Sequence, residues 1–174
     1  MLTDLTQRQS ELGITRAMIE ACDLPFCPDA VELADAGLDM FDRPCQMTPE
    51  TLTAWQSMAK AALDDGIVLE VVSAFRSSHY QCEVIKKKLD RGRCIEEILT
   101  VNAPPGYSEH HTGRALDLHA GDAEPLSETF EETTAYNWLT THAKKFSFAL
   151  SYPRDNQSGI AFEPWHWCYH PEPE

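Results

Sequence analysis

Apolar residues between Thr48 and Gly66 recur every three to four positions, with Leu52, Trp55, Ala59, Ala62 and Leu63 on one helical face. Thr48 offers a cap, Pro49 suits a first-turn position that needs no N–H, and Gly66 supplies a stop. The rhythm then changes. Ile67 to Phe75 is β-branched and reads as a strand, and Ser77 to about Leu89 reads as a helix capped by Ser77 and ended near Gly92. A short helical piece from Cys94 to Leu99 leads into turn-rich Asn102 to Gly106, and Arg114 to Ala120 alternates as a strand. A helix over Thr134 to Lys145 and strands near Phe148 to Tyr152, Ile160 to Phe162 and His166 to Tyr169 complete the pattern. Upstream, helical patches lie at Asp4 to Leu12 and Thr15 to Cys22. Late strands joined by turns such as Asp155 to Gly159 imply antiparallel pairing, hence an α+β class with a small sheet packed by helices. With no repeat and no linker, residues 1–174 read as one domain, in which 1–47 form an acidic, partly helical covering segment and 48–170 the core.

Composition narrows the possibilities. At 43% hydrophobic and 24% charged residues, the chain has the make-up of a folding globular protein. Its longest apolar runs, Ile67-Val68-Leu69 and Val71-Val72, fall far short of the roughly 18 residues a membrane helix needs. Twenty-eight acidic against fourteen basic residues, a net charge of -14, oppose binding to nucleic acid or anionic lipid. The basic run Lys86-Lys87-Lys88 with Arg91 and Arg93 reads as a solvated helix face. No export signal is readable near Met1, so a cytoplasmic location is expected, with the periplasm as the alternative if an export segment lies outside this sequence. The six cysteines, at 22, 27, 45, 82, 94 and 168, have irregular spacing and are expected to be free core thiols rather than disulfides or a thiolate zinc cluster.

Candidate chemistry concentrates in two places. In Ser108-Glu109-His110-His111-Thr112-Gly113-Arg114-Ala115-Leu116-Asp117, a turn at Gly113 allows His110 to meet Asp117. In Glu163-Pro164-Trp165-His166, a proline stiffens the backbone between a carboxylate and an imidazole. Together these supply two imidazoles, a ligating carboxylate and a spare one, the inventory of a catalytic zinc that keeps a position for water. Taken singly, each residue is more often a satisfied polar group, but that reading has to explain both clusters at once.

The run Ser108-x-His110-x-x-Gly113-x-Ala115-x-Asp117 followed by Glu163-x-x-His166 resembles the signature of the zinc D-alanyl-D-alanine carboxypeptidases of the VanY type. These belong to the superfamily named for lysostaphin, D-Ala-D-Ala peptidases and sonic hedgehog. Phe75-Arg76-Ser77-x-x-x-Gln81 is similar to that family's Tyr-Arg-Ser-x-x-x-Gln segment, with Phe75 lacking the usual hydroxyl, so the likeness runs from Thr48 to Tyr169. The resemblance implies a hedgehog-like fold and Zn2+ held by His110, Asp117 and His166. It makes Glu163 the catalytic acid/base, Arg76 the cation meeting the substrate, and Ser108 and Gln81 accessory substrate contacts. The activity implied is removal of the C-terminal D-alanine from peptidoglycan stem peptides or muropeptides, with DD- and LD-specificity both open. The alternatives are an endopeptidase or phage-type lysin cutting within the stem peptide, and a non-catalytic zinc-bound module. His79, His111 and His119 are expected to play supporting or structural roles, and His142 and His170 to stand outside any cluster.

Overall fold

The computed structural model describes residues 2–171. In chain order the elements are α1 (Leu2–Glu11), α2 (Arg16–Ala21), β1 (Ala34–Leu38), β2 (Pro44–Met47), α3 (Pro49–Asp64), β3 (Glu70–Ser73), α4 (Ser78–Leu89), α5 (Ile95–Leu99), β4 (Ala115–His119), α6 (Thr134–His142), β5 (Phe148–Leu150) and β6 (His166–Tyr169). Short 3₁₀ turns occupy Glu109–Thr112, Glu128–Glu132 and Ala143–Phe146. The principal sheet is antiparallel in the order β3-β4-β6-β5, and β1 and β2 form a separate hairpin. The α+β expectation is met.

Strand β4 is the axis of the molecule. All five of its residues are buried, because both faces are covered. Leu116 and Leu118 join Met58 and Ala62 of α3 and Leu139 of α6 in the main core, while Asp117 and His119 fall on the opposite face. Pairing with β6 sets Asp117 against His166 and Ala115 against Cys168. A single-residue slip would turn the site side chains into the core, so the apolar face fixes the register that builds the site.

The residues before β1 pack on α4 and α5: Ile14 shares a cluster with Ile85, Ile98 and Leu99. They also brace the approach to β4, since Gln9 Nε2 donates to Pro105 O at 2.7 Å, Cys27 N–H to Gly106 O at 2.7 Å and Ala30 N–H to His111 O at 2.7 Å.

Several expectations change. In α3 the central contact is Met58, fully buried, whereas Leu63 is 59% exposed; the buried stripe runs through Thr51, Met58 and Ala62. The strand expected from Ile67 begins only at Glu70. Gly66 turns at φ 80°, and the Ile67 N–H goes to Ala62 O at 2.8 Å, closing the helix instead of joining a ladder. It also ends early, because the Phe75 and Arg76 N–H groups donate to Gln46 O and His110 O. Ile160–Phe162 is a loop organised by Asn156, whose Nδ2 donates to Pro153 O and Ile160 O, so β5 and β6 are joined by a long connection. The helix expected to reach Lys145 stops at His142 and continues as a 3₁₀ turn. The β1–β2 hairpin was not anticipated. Its first strand, Ala-Asp-Ala-Gly-Leu, is weakly apolar, and the hairpin turn is held by Asp39, which accepts from the Phe41 and Arg43 N–H groups at 2.8 and 3.0 Å.

Candidate functional site

The site starts from a turn. Gly113 sits at φ 66° after the 3₁₀ segment, and a Cβ there would lie 3.2 Å from the Thr48 backbone nitrogen, so both conformation and space call for glycine. The turn presents His110, whose Nδ1 lies 2.7 Å from Ala74 O. Donation there leaves Nε2 free to face the cluster, 3.2 Å from Asp117 Oδ2. Across the ladder, Asp117 Oδ1 lies 3.1 Å from His166 Nδ1. The two rings meet edge to face at 4.9 Å, and the donor atoms of His110, Asp117 and His166 all lie within 4.8 Å of one another. Glu163 reaches the same point from the turn before β6: His166 N–H donates to Glu163 O at 3.1 Å, and Glu163 Oε2 stands 3.6 Å from His166 Nδ1.

The electrostatics follow from three carboxyls and two imidazoles buried side by side. Burial pushes the Glu163 carboxyl up to about 7 against the opposing pull of His166. Burial alone would also raise Asp117 and lower His166; instead His110 first and His166 after it drive Asp117 well below the carboxylate range, while hydrogen bonds to Asp117 and Glu109 raise His166 to about 10. His110 is lowered, mainly by burial. A proton on His166 is one way to balance these carboxylates. A divalent cation on the three converging donors is another, and the two-imidazole, one-carboxylate set suits zinc.

The expected substrate residues divide. Arg76 lines the cavity of about 40 Å³ at the cluster, together with Ser108 and Glu163. It also lines an adjoining groove of about 360 Å³ with Phe41, Phe75 and Tyr80. Its Nε is buried without a hydrogen-bond partner, and no ion pair to Arg76 occurs among the described residues. Gln81 is not brought to the cavity surface. It is fully buried, its Nε2 donates to Ala103 O at 2.9 Å, and it supports the wall that Ala103 forms.

His111 supports rather than ligates. Its Nδ1–H donates to Arg76 O at 2.5 Å and its Nε2 accepts from Gly106 N–H at 3.0 Å, a neutral tautomer in keeping with a pKa lowered to about 4, mainly by burial. His119 is tied to Ala123 O at 2.7 Å, and His79 is exposed.

Four residues escaped the sequence reading. Tyr152 packs its ring 4.8 Å from that of His166. Lys88, expected on a solvated face, is half-buried and its charge is felt by Glu163 and Arg76. Glu109, the variable position between Ser108 and His110, has Oε2 2.9 Å from His166 Nε2, a carboxylate–histidine contact that turns Nδ1 toward Asp117. His170, expected to stand alone, instead shares a second donor group with Glu109 and Cys168. Only Glu109 carried a sequence signal, its place inside the motif. All six cysteines are free thiols.

A hedgehog-like D-Ala-D-Ala peptidase fold is the class that this sheet and its helices define, by likeness to solved members. One is an LD-carboxypeptidase, LdcB, at 28% identity and TM-score 0.72, covering 83% of this chain and 71% of that one. Another is a variant of the vancomycin-resistance D,D-pentapeptidase VanY in complex with Zn(II), at 27% identity and TM-score 0.65, covering 86% and 87%. Residues 44–172 match the model of the VanY family, D-alanyl-D-alanine carboxypeptidase, and the chain belongs to that family. A D-alanyl-D-alanine carboxypeptidase of Enterococcus faecalis is 32% identical over 124 residues, 66% of this chain and 44% of that protein, so the chain spans less than half the length of this relative.

Proposed function

We propose that the chain is a zinc-dependent carboxypeptidase that removes the C-terminal D-alanine from peptidoglycan stem peptides or muropeptides. One observation carries the reading: the converging donors of His110, Asp117 and His166 share a small cavity with a carboxyl not needed as a ligand, Glu163, and with Arg76, whose buried Nε has no hydrogen-bond partner. The family membership and the carboxypeptidase names of the relatives support it.

When bound, zinc supplies Lewis acidity, acidifying water and polarising the scissile carbonyl. Glu163, raised to about 7 by burial, is matched to accept a proton from the attacking water near neutral pH and return it to the departing amine nitrogen. Arg76 offers a planar fork of N–H donors to the substrate's free carboxylate, and His111 holds the Arg76 backbone in place. Ser108 borders the same cavity, within reach of the substrate backbone.

The direct test of chemistry is Glu163→Gln. This variant is expected to keep its zinc while turnover of a free-acid pentapeptide falls by about 10²–10⁴-fold, the usual contribution of a general base. Turnover near wild type with full zinc occupancy would remove Glu163 from the mechanism.

A further inference from the structure

Residues two apart on a strand project to the same face, so His166, Cys168 and His170 form a row along β6 and its continuation. The carboxylate of Glu109 lies across that row. One end of it is engaged by His166 Nε2 at 2.9 Å, and beyond it the donor atoms of Glu109, Cys168 and His170 all lie within 4.8 Å of one another. The backbone under this second group is held: Tyr169 N–H donates to Arg114 O at 3.0 Å and His170 N–H to Ser147 O at 2.8 Å. Cys168 is buried, its thiol hydrogen-bonds toward Glu109, and its sulfur makes a long contact of 3.8 Å to Tyr169 O. His170 is exposed, so the group opens to solvent on its side.

We propose that Glu109, Cys168 and His170 form a second cation site, next to the His110–Asp117–His166 cluster and distinct from it. A thiol, an imidazole and a carboxylate together select a borderline or soft divalent ion such as zinc or cadmium over magnesium or calcium, which prefer all-oxygen sets. Three protein donors leave positions for water or for an outside ligand, and the open side makes this the exchangeable site of the two. Because Glu109 also holds His166, the sites share a carboxylate. Filling one therefore alters the affinity of the other by the same factor in both directions. The site stands on its own donors and does not require the first cluster to bind metal.

Titration of the full chain with Cd(II), read by metal stoichiometry and by the ultraviolet thiolate-to-cadmium charge-transfer band, separates the two. The first cluster contains no sulfur, so two equivalents are expected, of which one carries the band. Cys168→Ser should abolish the band and one equivalent. His170→Ala, a change at an exposed side chain that spares the core, should weaken the band-bearing equivalent by about tenfold or more and leave the other in place. A single band-bearing equivalent lost in both variants would uphold this site and overturn the metal reading of the first cluster. A band that survives Cys168→Ser belongs to another thiol, such as exposed Cys94, and overturns the proposal. So does a single equivalent without a band.

Discussion

Asp117 and its two histidines are tied to one another and to fixed backbone, whereas Arg76, in the wall of the same cavity, feels the charges of Asp117 and Glu163 but has no ion pair among the described residues and a buried Nε without a hydrogen-bond partner. The contrast is not one of burial, since Asp117 and the Arg76 Nε are both shielded from water. Leaving a charged donor unpaired in such a place is costly unless something else meets it. In the proposed reading the cluster serves a resident group, with ring orientations set by Ala74 O and Glu109. In the same reading the Arg76 side serves a visitor: its backbone is clamped by His110 O and His111, and its Nε is left without a hydrogen-bond partner.

Breaking the resident half should have the largest effect. Asp117→Ala removes a ligand and leaves two buried histidines without their shared acceptor, so the purified variant is expected to carry no zinc at this cluster and to show no measurable hydrolysis. Metal analysis beside an activity assay checks it, and full occupancy with activity would dissolve the distinction between the halves.

Breaking the visiting half should be milder and conditional on the substrate. Arg76→Ala is expected to slow hydrolysis of free-acid peptides about ten- to a hundredfold, the equivalent of roughly 1.5–3 kcal/mol for a charge-assisted contact. Amidating the substrate's C-terminus should slow the wild type by a similar factor. Combining the two should cost little more than either alone, because they remove opposite ends of one contact. Additive losses would place Arg76 elsewhere.

The smallest effect near neutral pH sharpens the comparison through His111, which links the two halves. Its folded-state pKa is depressed to about 4 from an ordinary 6.5, so the unfolded chain binds the proton first as pH falls. The stabilising contribution is complete above 6.5, declines between 6.5 and about 4, and changes no further below that. In metal-free protein the loss should amount to about 1–3 kcal/mol by urea unfolding, and His111→Gln should flatten that part of the profile. Identical slopes in both proteins would show that His111 is not held neutral.

The motif residues were legible because each half is local in the sequence: a glycine turn between His110 and Asp117, seven positions apart, and a proline-stiffened pair, Glu163 and His166, three apart; the pairing of β4 with β6 then joins the halves. What stayed hidden depends on the ladder and on distant packing. The Asp117–His166 register places Cys168 and His170 in line with Glu109, which no spacing along the chain reveals. Gln81 matched a family motif, yet its amide turns inward to Ala103 O because α4 packs that face against the core. Met58 and Leu63 both fit a helical period, and only the packing of the main core decides which of them is covered. The hairpin of β1 and β2 was invisible because its strength lies in the Asp39 turn rather than in an apolar alternation.

The central claim is that Arg76 and the cluster together make an exopeptidase. Incubating the zinc-loaded chain with defined stem pentapeptides and tetrapeptides, as free acids and as C-terminal amides, and identifying the products by mass spectrometry tests it most directly. The account predicts loss of one terminal D-alanine from a free acid and slow or no cleavage of the matching amide. Cleavage at an internal bond, or equal rates on acid and amide, would contradict it.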